Sequence, residues 1–204
     1  NTQTYNRVWE ARQIWGSIVN TSRSWALLVK DLIAPATDEK VAKDIHRQLY
    51  YRHIAWLTAM RFQMREPKNW ENIKSKISNT EYSSLYKVDE WDNKIETALS
   101  GFLSGEELNY ILEKKNRATH IISLQSAHLK KLRSEGLLSE LNHIELENIL
   151  VNLFEHQGKS ERIKNFPYPR QFATINQMFT RLFVFLIPLG TLNEFQKLTD
   201  KSGN

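Results

Sequence analysis

Six histidines, at positions 46, 53, 120, 128, 143 and 156, are the side chains of this chain best suited to hold a metal. No two of them stand four apart and none forms His-Glu-x-x-His, so the spacing that sets two imidazoles on one helical face is absent and no metal site is expected. There is no glycine-rich phosphate loop and no Gly-x-Ser-x-Gly elbow. No carboxylate pair stands apart from ordinary helix charge, so neither an enzyme nor a cofactor is expected. Two basic runs, Lys114-Lys115-Asn116-Arg117 and Lys130-Lys131-Leu132-Arg133, could meet an anionic partner. Acidic neighbours at Glu106, Glu107, Glu113 and Glu135 make solvated helix faces the better reading, and no nucleic-acid partner is expected. The same runs could instead raise the local anion concentration in a vestibule.

Two other clusters stand out. Trp9, Glu10, Arg12 and Trp15 combine aromatic and charged side chains within two helical turns. A structural role is expected there, with Glu10 pairing to Arg7 or across to another helix and the two tryptophans suited to a subunit contact. Near the other end, the charged turn Gly158 to Gln171 contains Pro167 and Pro169 and leads into Phe172 to Leu192, whose only charge is Arg181. A bilayer-spanning helix needs about 20 mostly apolar residues. The run has that length, but Asn176, Gln177 and Arg181 dilute its first half, so hydropathy leaves a membrane helix and a buried core helix equally open. Pro188 suits either a kink or a helix end.

The elements that must position these residues read as helices. The 204 residues are 41% apolar with only 7 glycines and 5 prolines, and no strand-like alternation or internal repeat is found. The absence of cysteine removes disulfides and thiolate sites, and a formal charge of +5 suits anionic partners in general. Val8, Trp15, Ile18, Val19, Trp25, Ala26, Val29, Leu32 and Ile33 recur mostly at helical spacing between Tyr5 and Pro35. A second helix is expected from about Asp38, capped by Thr37, to Arg65, with Ile45, Leu49, Trp56, Leu57, Met60 and Met64 inward and Pro67 as its stop. Residues 66 to 103, with helical stretches at Asn69 to Ile77 and Glu90 to Leu103, are expected to form short helices and loops. Ser104 with Glu107 has capping-box spacing and should open a helix that Gly136 terminates. Asn142 with Glu145 should open another that ends at Gly158. The chain begins at Asn1 without a charged-then-apolar leader, as a processed chain or an excerpt would.

Four blocks in order resemble a known family. Asn1 to Arg23, with Tyr5-Asn6-Arg7-Val8-Trp9-Glu10-Ala11-Arg12, Trp15-Gly16 and Asn20-Thr21-Ser22-Arg23, closely resembles the segment after the second transmembrane helix of bestrophin channels. Tyr51-Arg52-His53-Ile54-Ala55-Trp56 is similar to that family, as are Lys115-Asn116-Arg117 and Leu124-Gln125-Ser126. Glu161-Arg162-Ile163-Lys164-Asn165-Phe166-Pro167-Tyr168-Pro169, with Leu186-Ile187-Pro188-Leu189-Gly190, resembles the approach to the third transmembrane helix of bacterial members, with Phe166 where a Thr is common.

The resemblance implies an all-α bundle of long amphipathic helices and a subunit, or fragment, of a homopentameric channel passing chloride or other anions. On that reading residues 1–171 are the cytosolic helical body, 172–192 a membrane helix in contact with lipid, and 193–204 a polar tail. The protein would sit in a membrane, the inner membrane if bacterial, with most of this segment cytoplasmic. Two transmembrane helices and the pore's neck would precede Asn1 and a further helix would follow Asn204. Asn165, Pro167 and Pro169 would form the turn into the membrane. A cytosolic ring of apolar side chains narrows the pore in such channels; Ile144 is its closest counterpart here, and Leu141 the alternative one turn away. Both could otherwise be ordinary core positions. The competing function is a soluble helical interaction or scaffold protein.

Overall fold

The computed structural model of the chain describes residues 2–33, 39–68, 71, 80–81, 85–166 and 170–202, with side chains in the last stretch given for 172 and 174–192. All regular structure among the described residues is helical: α1 (Thr2–Leu32), α2 (Glu39–Arg65), α3 (Asp89–Asp92), α4 (Ile95–Ser100), α5 (Gly105–Leu112), α6 (Arg117–Ser134), α7 (Glu140–Asn165) and α8 (Arg170–Ser202). The chain divides into two compact units, one of residues 7–165 and one of residues 1–6 with 166–204.

In the larger unit α2 packs on α6 and α6 on α7, while α4 and α5 lie against α2 and α6. The stripes that drive this packing recur every three or four residues, the period of one helical face. They are Leu49, Trp56 and Met60 on α2, Ala118, Ile121, Leu129 and Leu132 on α6, and Leu146, Leu150 and Leu153 on α7, all buried. From α1 the buried stripe is Ile14, Ile18, Trp25 and Val29, continued by Ile33 just past its end. Val8, Trp15 and Ala26, which share the apolar pattern of α1 in the sequence, face outward instead.

Three helix limits differ from the sequence reading. The helix opened by Ser104 stops at Leu112, and α6 starts afresh at Arg117 because the Asn116 side chain accepts a hydrogen bond from Thr119 N at 3.2 Å. The cap of α7 is Ser139, whose hydroxyl accepts from Asn142 N at 3.2 Å. Asn142, expected to be the cap, donates through its side chain to the carbonyl of Leu32 at 3.0 Å. Nor does α7 end at Gly158; it runs on to Asn165, held by tertiary partners of Gln157, Glu161, Arg162 and Lys164 described below.

Other signals act as read. Ser104 and Glu107 form the reciprocal capping box. Gly136 adopts φ +76°, and with Gly136 N donating to Arg133 and Leu137 N to Leu132 it closes α6 in a Schellman turn. Residues 89 to 100 form two short helices. Pro188 lies inside α8. The expected Thr37 cap, most of the stretch Asn69 to Ile77, and Pro167 and Pro169 lie outside the described residues.

Candidate functional site

On α7 the sequence supplies two faces. Leu146, Leu150, Leu153 and Gln157 are buried against the bundle, while Leu141 (70% exposed), Ile144 (48%) and Val151 project from the other side. Leu141 and Ile144 are therefore not core residues. Positions 141, 144, 148 and 151 recur at steps of three and four and share one face, which makes an apolar strip broken only by Asn148. The fold of a single chain has no use for such a strip. Its chemistry suits a contact with other copies or the wall of a narrow passage, where apolar side chains obstruct by size or dewetting without binding the ion.

Polar side chains fix the position of that helix. Trp56 Nε1 donates to Gln157 Oε1 at 2.9 Å, inside the core. The Gln157 amide in turn donates to Thr119 Oγ1 at 2.9 Å, Asn116 Oδ1 at 3.2 Å and Glu161 Oε1 at 2.8 Å. Glu161 also accepts from Asn116 Nδ2 and Gln63 Nε2, each at 3.0 Å. One glutamine thus joins α7 to α2 and to the start of α6. Near the end of α7, Arg162 pairs with Glu10, Arg7 donates to the carbonyl of Ile163 at 2.7 Å, and Lys164 pairs with Glu71.

A second buried network centres on Arg52. Its Nη1 donates to Gln125 Oε1 at 3.1 Å and to His128 Nδ1 at 3.0 Å, and its Nη2 pairs with Glu107. Because a guanidinium only donates, His128 must accept at Nδ1 and carry its proton on Nε2. Burial first, then the positive charges of Arg52 and Lys131, push the His128 pKa down to about 4, against smaller opposing effects of Glu107 and Glu135. Gln125 Nε2 donates to the carbonyl of Leu49 at 2.8 Å. Beside this network His53 lies between Trp25 and Trp56, with ring centroids 6.2 and 5.5 Å away. Burial lowers its pKa to about 4.

The tryptophans of the N-terminal cluster stay on the outside of α1, Trp9 at 52% and Trp15 at 50% exposed, while Glu10 reaches across to α7. Arg12 is also exposed. Asn165 is the exposed last residue of α7. The structure thus brings Glu10 to the end of α7 but sets Ile144 and Leu141 near its beginning. In α8, Thr174–Leu192 is long and apolar enough to cross a membrane; none of its residues is buried, and Arg181 is exposed like its neighbours.

Arg52, Glu107, Gln125, His128 and Gln157 were not singled out as a functional set by sequence reasoning. The available signal was polar residues at buried helical spacing, with Gln125 between Ile121 and Leu129 and Gln157 four residues after Leu153. Among the described residues no three His, Asp or Glu side chains gather as a metal site would require.

Comparison with known proteins gives this arrangement a family. The family model described as Bacterial/Fungal Bestrophin protein matches residues 1–200. A voltage-dependent anion channel-forming protein, YneE, of Salmonella typhi is 23% identical over 200 residues, which cover 98% of this chain and 55% of that protein. A voltage-dependent anion channel-forming protein of Nostoc is 28% identical over 187 residues, covering 90% of this chain and 51% of that protein. The chain spans about half the length of these relatives. A crystal structure of a bacterial bestrophin homologue from Klebsiella pneumoniae shares the fold with a TM-score of 0.73 at 22% identity, over 98% of this chain and 61% of that one. With the family model matched across nearly its whole length, the chain belongs to the bacterial and fungal bestrophins.

Proposed function

We propose that this chain is the central portion of a bestrophin-like channel subunit that assembles as a homopentamer and passes chloride or other anions passively across a membrane. The observation that carries the reading is the pairing of a whole-chain family match with an exposed apolar strip on α7 that the subunit's own fold does not use. Residues 1–171 would form the cytoplasmic body, 172–192 would cross the bilayer in contact with lipid, and 193–204 would be a polar tail. Asn165, Pro167 and Pro169 would make the turn between body and membrane. Trp9 and Trp15, exposed on α1, suit a contact between subunits, with Glu10 and Arg12 in structural roles beside them.

Ile144 is assigned to the cytosolic constriction, with Leu141 as its neighbour toward the start of α7. A soluble scaffold would keep its most apolar helix in the core. The exposed Thr174–Leu192 stretch instead favours lipid.

The full-length gene product, reconstituted into liposomes, is expected to release trapped chloride and to run as a pentamer in detergent. A monomer without flux would overturn the proposal. In the same preparation Ile144→Ala should change conductance or anion preference, because replacing five isoleucines widens an apolar ring. Unchanged currents with Ile144→Ala, alongside altered ones with Leu141→Ala, would move the constriction to Leu141.

A further inference from the structure

A cavity of about 780 Å³ lies away from the apolar strip, between α2, the turn at Glu66 and Pro67, the α3–α4 pair and the start of α6. Small-molecule sites typically measure about 300–1,000 Å³. Phe62, Trp91 and Ile95 supply apolar wall, and Trp91 is held in place by donating through Nε1 to the carbonyl of Arg65 at 2.8 Å.

The charges around it do not balance. Three carboxylates line the cavity, and each is already paired with a cation outside the lining: Glu66 with Lys68 at 2.8 Å, Glu71 with Lys164, and Glu90 with Arg61 at 2.5 Å. The three cations of the lining are Arg65, Lys115 and Arg117, and among the described residues none of them meets a carboxylate. Arg65 has the hydroxyl of Tyr86 at 3.4 Å and that ring at 5.9 Å. Arg117 Nη2 reaches the carbonyl of Leu112 at 3.5 Å, and its Nε is buried with no acceptor. A guanidinium N–H withdrawn from water without an acceptor is costly, and an oxyanion is the partner its planar fork fits best.

We infer that this cavity binds a small organic anion, with a flat apolar body against Phe62 and Trp91 and a phosphate or carboxylate group held by Arg65, Lys115 and Arg117. Neither Ile144 nor Leu141 lines this cavity, and the inference does not depend on the channel reading.

The test is calorimetric titration of the detergent-solubilised protein with phenyl phosphate, using inorganic phosphate and phenol as comparators. Phenyl phosphate should bind roughly tenfold or more tightly than either, since each comparator lacks one half of the recognition. Arg117→Gln and Lys115→Gln should each weaken it about tenfold, and Lys130→Gln, a change of an exposed lysine on α6, should not. Lys115 is itself exposed, so that variant keeps the test valid if Arg117→Gln fails to fold. Benzoate binding with the same dependence on Lys115 would equally support the site. Phenyl phosphate that binds no better than inorganic phosphate, or that ignores Lys115→Gln, overturns the inference. Because no ion flux is read, failure here leaves the channel proposal standing, and the reverse also holds.

Discussion

A guanidinium buried as deeply as that of Arg52, 3% exposed, persists because Glu107, Gln125 and His128 engage its two terminal nitrogens. Removing one side of such a buried pair typically costs about 3–5 kcal/mol, because the other side is left charged and dry. Arg52→Ala should therefore lower the unfolding free energy by about that amount in denaturant titration, and Arg52→Met with Glu107→Leu should recover much of the loss. His53 acts through protons instead. Its pKa is lowered from 6.5 to about 4, so the unfolded chain takes up the proton first as pH falls. The stability tied to neutral His53 is complete above pH 6.5 and is lost progressively down to about 4. His53→Phe keeps a ring between Trp25 and Trp56. Its stability measured at pH 7 and again at 4.5 should fall less than that of the parent, by on the order of 2–3 kcal/mol. Little of this was legible in the sequence. Arg52, His53 and Gln125 fell inside blocks that resembled the family, but the partners of Arg52 on α5 and α6 are 55 to 76 positions away, and helical spacing carries no information about pairing across that distance.

At the scale of elements, local chemistry was legible and tertiary override was not. Ser104 with Glu107 and Gly136 were read as helix signals and act as such, because a capping box and a left-handed glycine need only their near neighbours. Gly158 shows the opposite. Its type suggested a stop, yet the hydrogen bonds of Gln157 and Glu161 on either side of it and the pairs of Arg162 and Lys164 beyond carry α7 through. The two glycines should consequently respond to the same substitution with opposite sign. Gly136→Ala forces a side chain into the left-handed region at about 1–2 kcal/mol. Gly158→Ala adds a Cβ that meets nothing within 4 Å in a helix interior, and should stabilise by about 0.5–1 kcal/mol. Thermal unfolding of the two variants beside the parent checks both. The strip on α7 was half legible: Ile144 and Leu141 were picked by likeness to a family, and only the buried Leu146, Leu150 and Leu153 opposite reveal that the strip is left over from the core.

For the whole molecule, the sequence left α8 evenly divided between membrane and core, since composition gives a helix's apolarity but not what surrounds it. Its uniform exposure now sets the expectation that the chain partitions into the detergent phase on cloud-point separation with a non-ionic detergent. Recovery from the aqueous phase as a monodisperse species would favour the scaffold reading. The all-α class was fully legible, because scarce glycine and proline with sustained helical periodicity leave few other folds. The contact of α1 with the end of α7 has a further consequence in time rather than in space. Arg7 meets Ile163 across 156 positions and Glu10 meets Arg162 across 152, so the start of α1 waits for the end of α7 to be made before these two contacts can form. Trp25, farther along α1, can meet His53 of α2 much sooner. The contact between the start of α1 and the end of α7 therefore closes late in synthesis, after the middle of α1 can already pack on α2.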